Sequence, residues 1–429
     1  IPEQYSITKL KYISNLFGRI GFRGYNSDDL NQEGIGAITI SPSNIIENRL
    51  DLSKVTYLSW AKYYESPEIQ VRNNDILLVK TGSCGKSCYV SNLSEPATIN
   101  PQLLRIVPKC FPKFLYYCLQ SSFFKYAINC YIAGSTVPTI SQANIGAIYI
   151  LVPSTEEQQA IVAYLDEETG KLDAAVEKLE RMVDVLNERK QLIISKAVTR
   201  GLDDSVPLKD SGVDCIGQIP NHWQERKIKF CLENKPNNMK VGPFGSDLKS
   251  SDYSITGYWV YTQRTVLDQN FTSNEIFVNK KKFQQLSAFE VFPGDFLITT
   301  RGTIGKVAIV PDNYFKGILH PCIIRFRVDD RILNKYYLRY IFNGSDIVIN
   351  QILSKSNATT IDAIYSSSLK DIKVTIPEYN EQCAIVAYLD EETGKLDAAV
   401  EKLERMIELL KERKQILISD VVTGKIKVA

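Results

Sequence analysis

Histidine is nearly missing from this 429-residue chain, which has two, and methionine and tryptophan supply three residues each. Nine cysteines, at 84, 88, 110, 118, 130, 215, 231, 322 and 383, form no C-x-x-C pair. With His222 and His320 as the only imidazoles they cannot build a zinc site of ordinary spacing. An odd set of unclustered cysteines reads as reduced thiols, which places the chain in the cytoplasm. Long apolar runs are absent too. No window approaches the ~18 apolar residues of a membrane span, and the opening IPEQYSITKLKY has neither the basic nor the apolar region of an export signal. Charge of one sign is missing overall, since 51 Lys+Arg and 49 Asp+Glu leave +2. With 44% hydrophobic and 23% charged residues, the composition is that of a soluble globular chain rather than a disordered or fibrous one. At roughly 150 residues per domain, the length implies two to three domains.

What is present is a repeat. The 23 residues AIVAYLDEETGKLDAAVEKLERM run identically from Ala160 to Met182 and from Ala384 to Met406. The likeness continues in both directions: NERKQLIISKAVT against KERKQILISDVVT, Asp75-x-Leu77 against Asp295-x-Leu297, and Gly82-x-x-Gly85-Lys86 against Gly302-x-x-Gly305-Lys306. Asn100-Pro101 faces His320-Pro321, and Ile1-Pro2 with Tyr5 faces Ile219-Pro220 with Trp223. The chain is therefore a tandem of two units, each a globular segment followed by a helix. Copying within the gene and a shared partner surface both account for the perfect match. The boundaries read as a first globular domain at 1–153, a helix region at 154–199, a linker at 200–218, a second globular domain at 219–377 and a second helix region at 378–429.

Segment charges are less balanced than the total. Residues 1–153 carry 14 basic and 10 acidic groups and residues 219–377 carry 21 and 14, whereas both helix regions are net acidic. A basic surplus confined to the globular parts is the footprint of polyanion contact.

In the first helix region Leu172, Val176, Leu179, Val183, Leu186, Ile193 and Ala197 alternate four and three apart, interrupted only by Lys190. The second copy reads Leu396, Val400, Leu403, Ile407, Leu410, Leu417 and Val421, with Lys414 in the matching slot. This is a coiled-coil stripe, and two copies in one chain predict that the helices pack on each other. A short linker favours an antiparallel pair, with one globular unit at each end. The stripe from 172 to 197 would rise about 39 Å, close to the ~34–36 Å of one B-DNA turn, so the pair would act as a spacer. A shorter helix is expected before each long one, over Glu156 to Glu168 in the first copy, with a kink at Gly170, because glycine costs a helix interior about 1 kcal/mol.

Gly82-Ser83-Cys84-Gly85-Lys86-Ser87 has some likeness to a phosphate loop, but Lys80 stands where the first glycine is needed, and the second copy has Val307 in place of Ser or Thr. An NTPase is thus disfavoured. The flanking runs DNILLVKTGSCGK and GDFLITTRGTIGK read as strand, turn and strand. The glycines either shape a hairpin or let backbone approach phosphate, and a hairpin can do both.

The order globular unit, helix, globular unit, helix, with EQxAIVAYLDEETGKLD, ERKQ and VTGKI at the helices and KDSGVDCIGQIPNHW introducing the second unit, resembles the specificity subunit of type I restriction-modification systems. The first unit starts at Ile1-Pro2 without such an introducer, so a trimmed N-terminus is expected. The resemblance implies an α/β (α+β) fold with two target-recognition domains, each reading one half of a bipartite, asymmetric double-stranded DNA target. They would be separated by an antiparallel pair of long coiled-coil helices with pseudo-twofold repetition, and the helices would dock two modification (methyltransferase) subunits, with restriction/translocase subunits joining that assembly. The chain itself is then no enzyme. S-adenosylmethionine, ATP and Mg belong to partners, and the residues agree: there is no FxGxG-like or NPP[YF]-like element, no hydrolytic triad and no metal set.

If the half-sites differ, base readers are residues the two units do not share, placed on loops near the shared turns, while shared residues are scaffold or phosphate contacts. In the first unit these candidates are Arg19, Arg23, Tyr25, Asn26 and Lys80. In the second they are Lys240, Ser246, Gln263, Arg264 and Arg301. The shared turn candidates are Gly82, Ser83, Gly85 and Lys86, with Gly302, Thr303, Gly305 and Lys306. Lys280-Lys281-Lys282 reads as a solvated or phosphate-facing patch, and His320 as a structural residue. The competing reading is a non-catalytic coiled-coil adaptor holding two protein-binding domains.

Overall fold

The computed structural model describes residues 4–19, 21, 24–134, 137–355 and 363–428. Two compact units emerge, and their borders fall inside the helices: Ile1–Arg181 with Glu404–Ala429, and Met182–Leu403.

In the first unit the run Ile76–Val79 is apolar at every position because it is buried on both faces. Ile76 and Leu78 pack with the helices Pro112–Gln120 and Ser122–Tyr131. Leu77 and Val79 point the other way, toward a second sheet, as a period of two requires. The antiparallel sheet runs in the order Ser87–Tyr89, Ile76–Val79, Leu103–Pro108, Ser14–Gly18. The second sheet has five strands and one parallel pair, Ala37–Ile40 with Ala97–Ile99. The second unit repeats this plan. Phe296 and Ile298 pack with one core and Leu297 with the other, Val307–Ile309, Phe296–Thr299, Ile323–Phe326 and Met239–Val241 form the antiparallel sheet, and Tyr258–Tyr261 pairs in parallel with Gly317–Leu319.

The long helices span Thr155–Arg200 and Tyr379–Val422. Each is one continuous element, so no separate shorter helix precedes the long one and the chain stays helical through Gly170. The ~1 kcal/mol cost of glycine is small beside roughly 1.5–3 kcal/mol for each large apolar side chain fully buried, and Leu165, one turn away, is fully buried. The stripe from Leu172 to Ile193 is half-buried throughout, and Leu396 and Ile407 are buried.

Pairing is antiparallel within each unit. In the first, Lys414 Nζ lies 2.6 and 2.7 Å from the two Asp173 carboxylate oxygens and Lys411 Nζ 3.0 Å from Glu180. As one helix advances from 173 to 180, its partner runs back from 414 to 411. In the second unit Lys190 contacts Asp397 at 2.5 and 2.7 Å. The polar slot that interrupts each apolar stripe is thus answered by the aspartate following Leu172 or Leu396.

Each globular core is closed by the far end of the other repeat's helix. Ile418, Val421 and Val422 belong to the core of the first unit. Ile194, Ala197 and Val198 belong to that of the second, where Val198 O accepts from Thr375 Oγ1 at 2.6 Å and Tyr337 Oη at 3.2 Å.

The segment expected to be a linker is structured. Gly201, at φ +76°, ends the first long helix in the left-handed conformation glycine favours. Leu208–Asp210 pairs with Gln218–Pro220, and Ile216 and Ile219 enter the core of the second unit.

Candidate nucleic-acid interface

The repeated motif first explains itself as scaffold. Gln158 accepts from Phe111 N–H (3.0 Å) and donates to Pro153 O (3.0 Å), and Gln382 does the same with Asn334 N–H (2.7 Å) and Pro377 O (3.0 Å). Tyr117 donates to Asp166 (2.6 Å) and Tyr340 to Asp390 (2.5 Å). Tyr5 donates to Glu157 (2.8 Å), as Trp223 Nε1 does to Glu381 (3.0 Å). The glutamine, glutamate and aspartate of EQxAIVAYLD therefore hold each globular unit to the helix that follows it.

Beyond this scaffold, three loops converge in each unit at the ends of equivalent strands. Both Gly-x-x-Gly segments are tight antiparallel hairpin turns. Gly85 N–H donates to Val79 O and Gly305 N–H to Thr299 O, each at 2.9 Å, with all four glycines at positive φ. A strand-turn-strand element does not open a helix, which the phosphate loop of an NTPase requires.

The second loop follows the parallel pair. Lys80 N–H donates to Gln102 O (2.8 Å) and Thr300 N–H to Cys322 O (3.1 Å), and both residues in turn accept at their carbonyls, from Ile140 and Ile364, at 2.9 Å. The third loop follows the partner strand: Ser41-Pro42-Ser43 in the first unit and Thr262-Gln263-Arg264 in the second, each opening a short helical turn with Ser41 or Thr262 as its cap. Lys86 Nζ reaches Pro42 O at 3.5 Å, and Gln263 Nε2 reaches Thr303 O at 3.5 Å. The repeat alignment hides this equivalence of Ser43 and Arg264. A capped turn directly after a strand was the signal that could have found it.

The candidate readers separate on burial. Ser83, Ser246, Arg264, Arg301, Gly302, Thr303 and Lys306 are exposed, while Lys80, Lys86 and Gln263 are half-buried at the loop junctions. Arg264 is held by Asp268 at 3.2 Å, with its side chain 78% exposed. Burial lowers the pKa of the Lys80 amine.

Arg19 is a correction. It is buried, its guanidinium donates to Ile99 O (3.2 Å) and Thr98 Oγ1 (3.1 Å) and lies over the Tyr25 ring, so it braces the sheet. Lys240 likewise lies over the Phe289 ring at 4.9 Å, and Asn26 caps the turn Ser27–Asp29. Arg23 lies outside the described residues. Lys280 and Lys281 are exposed, but Lys282 turns onto Asp252 at 3.0 Å. Sequence reasoning missed Phe244, whose ring is 81% exposed on the loop leaving Val241, and the exposed stacked pair Trp60 and Tyr64.

In the second unit the loop at Thr262 and the one after the parallel pair border a groove of about 540 Å³ whose lining includes Gln263, Arg264, Asp268, Glu275, His320 and Cys322; the Gly-x-x-Gly turn does not line it. Its lining is a mixture of hydrogen-bond donors and acceptors in which Arg264 is paired with Asp268 and Glu275 adds a second carboxylate, and there is no metal-ligating cluster among the described residues. No helix among the described residues is long and apolar enough to cross a membrane.

Comparison with known proteins finds the same duplication. A family model described as "Type I restriction modification DNA specificity domain" matches residues 11–180 and again 245–409. The chain belongs to that family, the specificity subunits of type I restriction-modification systems. It is 24% identical over 376 residues to the type I restriction enzyme MjaVIII specificity subunit of Methanocaldococcus jannaschii, covering 84% of this chain and 81% of that one. To the EcoBI specificity subunit of Escherichia coli it is 22% identical over 342 residues, 78% and 70% of the two chains. A solved chain from a study of complex assembly and conformational transition of the type I R-M system shares the fold, with a TM-score of 0.66, 17% identity and 98% of each chain covered.

Proposed function

We propose that this chain is the non-catalytic DNA-reading subunit of a cytoplasmic type I restriction-modification complex. Each unit reads one half of a bipartite, asymmetric duplex target. The observation that supports this reading is the shared loop junction: equivalent backbone bonds join the Gly-x-x-Gly strand to the loop after the parallel pair in both units, a side chain links the third loop to the turn in each, and the side chains displayed there differ. A common frame with unlike surfaces is what two unlike half-sites need, because the frame sets register on phosphate and the side chains select bases. Arg264 and Arg301 suit guanine and Gln263 suits adenine, and Gly302, Thr303 and Lys306 with Gly82, Ser83, Gly85 and Lys86 serve the backbone. The antiparallel helices set the distance between half-sites and dock two modification subunits, which bring S-adenosylmethionine and the methyl transfer; restriction/translocase subunits bring ATP and Mg.

Mapping methylated adenines in a host that carries this chain with its partners tests the reading. The expected result is a split motif in which replacing residues 219–377 alters one half only; a continuous motif, or none, would refute it. Duplex binding should also weaken steeply with salt, by tenfold or more between 50 and 200 mM, and native mass spectrometry should count two modification subunits per chain.

A further inference from the structure

His320 occupies the place in the second unit that Asn100 holds in the first, and the two solve the same backbone problem. Asn100 Oδ1 accepts from the Gln102 N–H at 3.0 Å, and His320 Nδ1 accepts from the Cys322 N–H at 3.2 Å. Asn100 N–H donates to Ile40 O (2.9 Å) and His320 N–H to Tyr261 O (3.0 Å), so the two residues sit at matching points of the two parallel strand pairs. What differs is the group left over. The Asn100 amide donates to Gln102 Oε1 at 3.1 Å and is satisfied within its own loop.

His320 has no such closure. With Nδ1 used as an acceptor, the neutral ring carries its proton on Nε2, and among the described residues no protein group accepts it. The ring lines the groove with Thr262, Gln263 and Arg264. Burial lowers its pKa, which favours the neutral form. A neutral N–H is a poor counter-charge for phosphate and a good donor to the acceptors that base pairs show in the major groove: purine N7, guanine O6 or thymine O4. Gln263, whose amide is turned toward Thr303 O, keeps Oε1 as an acceptor alongside.

We propose that His320 is a specificity-determining residue of the second unit, donating its Nε2–H to a base-edge acceptor in the half-site read by residues 219–377. This rests on the DNA-reading function proposed above, and the experiment separates the two. Selection from random duplexes by the full chain assembled with its modification subunits is run for the unmodified protein and for His320→Asn. Asparagine preserves the backbone cap, as Asn100 demonstrates, and withdraws the ring's Nε2–H from the groove; its shorter amide stays beside the cap, where Cys322 offers no counterpart of Gln102 Oε1. The expected result is a change of about tenfold to a hundredfold in preference at one or two base pairs of one half-site, with the other half and the melting temperature unchanged.

An unaltered motif for His320→Asn, or uniform weakening at every position, would overturn the assignment. Failure of the unmodified protein to enrich any motif would overturn the reading function itself, before any variant is compared. The reciprocal Asn100→His keeps the test open if His320→Asn melts early. It should introduce a new preference in the opposite half, and an unchanged motif there would count against the proposal.

Discussion

Asp75 and Asp295 show how one residue position can be held while its partner drifts. Asp75 takes Arg105 in a bidentate pair at 2.6 and 3.2 Å, with both side chains nearly buried. Asp295 takes Arg327 at 2.7 Å and leaves Arg325 at 3.5 Å. Both carboxylates also accept a local backbone N–H, from Arg72 at 2.7 Å and Phe292 at 2.8 Å, which fixes the turn before the central strand. Asp75→Ala leaves a buried guanidinium without its anion and should cost about 3–5 kcal/mol, measured by chemical denaturation, with the first unit losing protection in hydrogen exchange before the second. Thiols give a second check. Burial pushes Cys88 up to about 12, Cys110 and Cys231 up to about 11, and Cys118 well above the ordinary range. Only Cys130 and Cys383 are exposed, so a thiol reagent at neutral pH should modify those two first, and mass mapping should find the three buried thiols, Cys88, Cys118 and Cys231, labelled only after unfolding.

At the scale of elements, the long helices combine a scaffold segment with a pairing segment, and the repeated fragment AIVAYLDEETGKLDAAVEKLERM straddles both. Its first half is spent on the neighbouring globular unit through Tyr117 and Asp166 or Tyr340 and Asp390. Its second half carries the stripe and the aspartates that meet Lys414 and Lys190. A lysine in the apolar stripe, answered by one aspartate, selects the register of the pair as a buried polar residue does in a coiled coil. Gly170 and Gly394 sit inside these helices with no atom within 4 Å of where a Cβ would stand. Gly170→Ala and Gly394→Ala should each therefore stabilise by about 0.5–1 kcal/mol, read as a raised melting temperature; a lowered one would show that the glycines serve a bend or a closely packed partner.

On the scale of the whole molecule, the first unit is not a contiguous stretch of chain, whereas the second, Met182–Leu403, is. Residues 404–429 complete the first unit, and Ile418, Val421 and Val422 are buried in its core. Ending the chain at residue 412 should consequently loosen the first unit, and limited proteolysis should cut within residues 4–153 faster while the 219–377 region persists. Much of the plan was legible beforehand: the repeat gave the two-unit tandem, the heptads gave the pairing, and the runs DNILLV and GDFLIT gave strands, because periodicity and identity are local properties that the chain displays without folding. The continuity of the helices through Gly170 and the structured segment after Gly201 were not legible, since each depends on burial against distant residues. Nor was the fate of Arg19, whose partners Thr98 and Ile99 lie some 80 residues away. By itself the sequence determined that there are two like units, which residues form the helical stripe, and which polar side chains the units do not share. The tertiary structure alone decided which of those side chains reach a common groove and which are consumed as braces, because exposure and hydrogen-bond partners are set by contacts between strands that meet only once the sheets have closed.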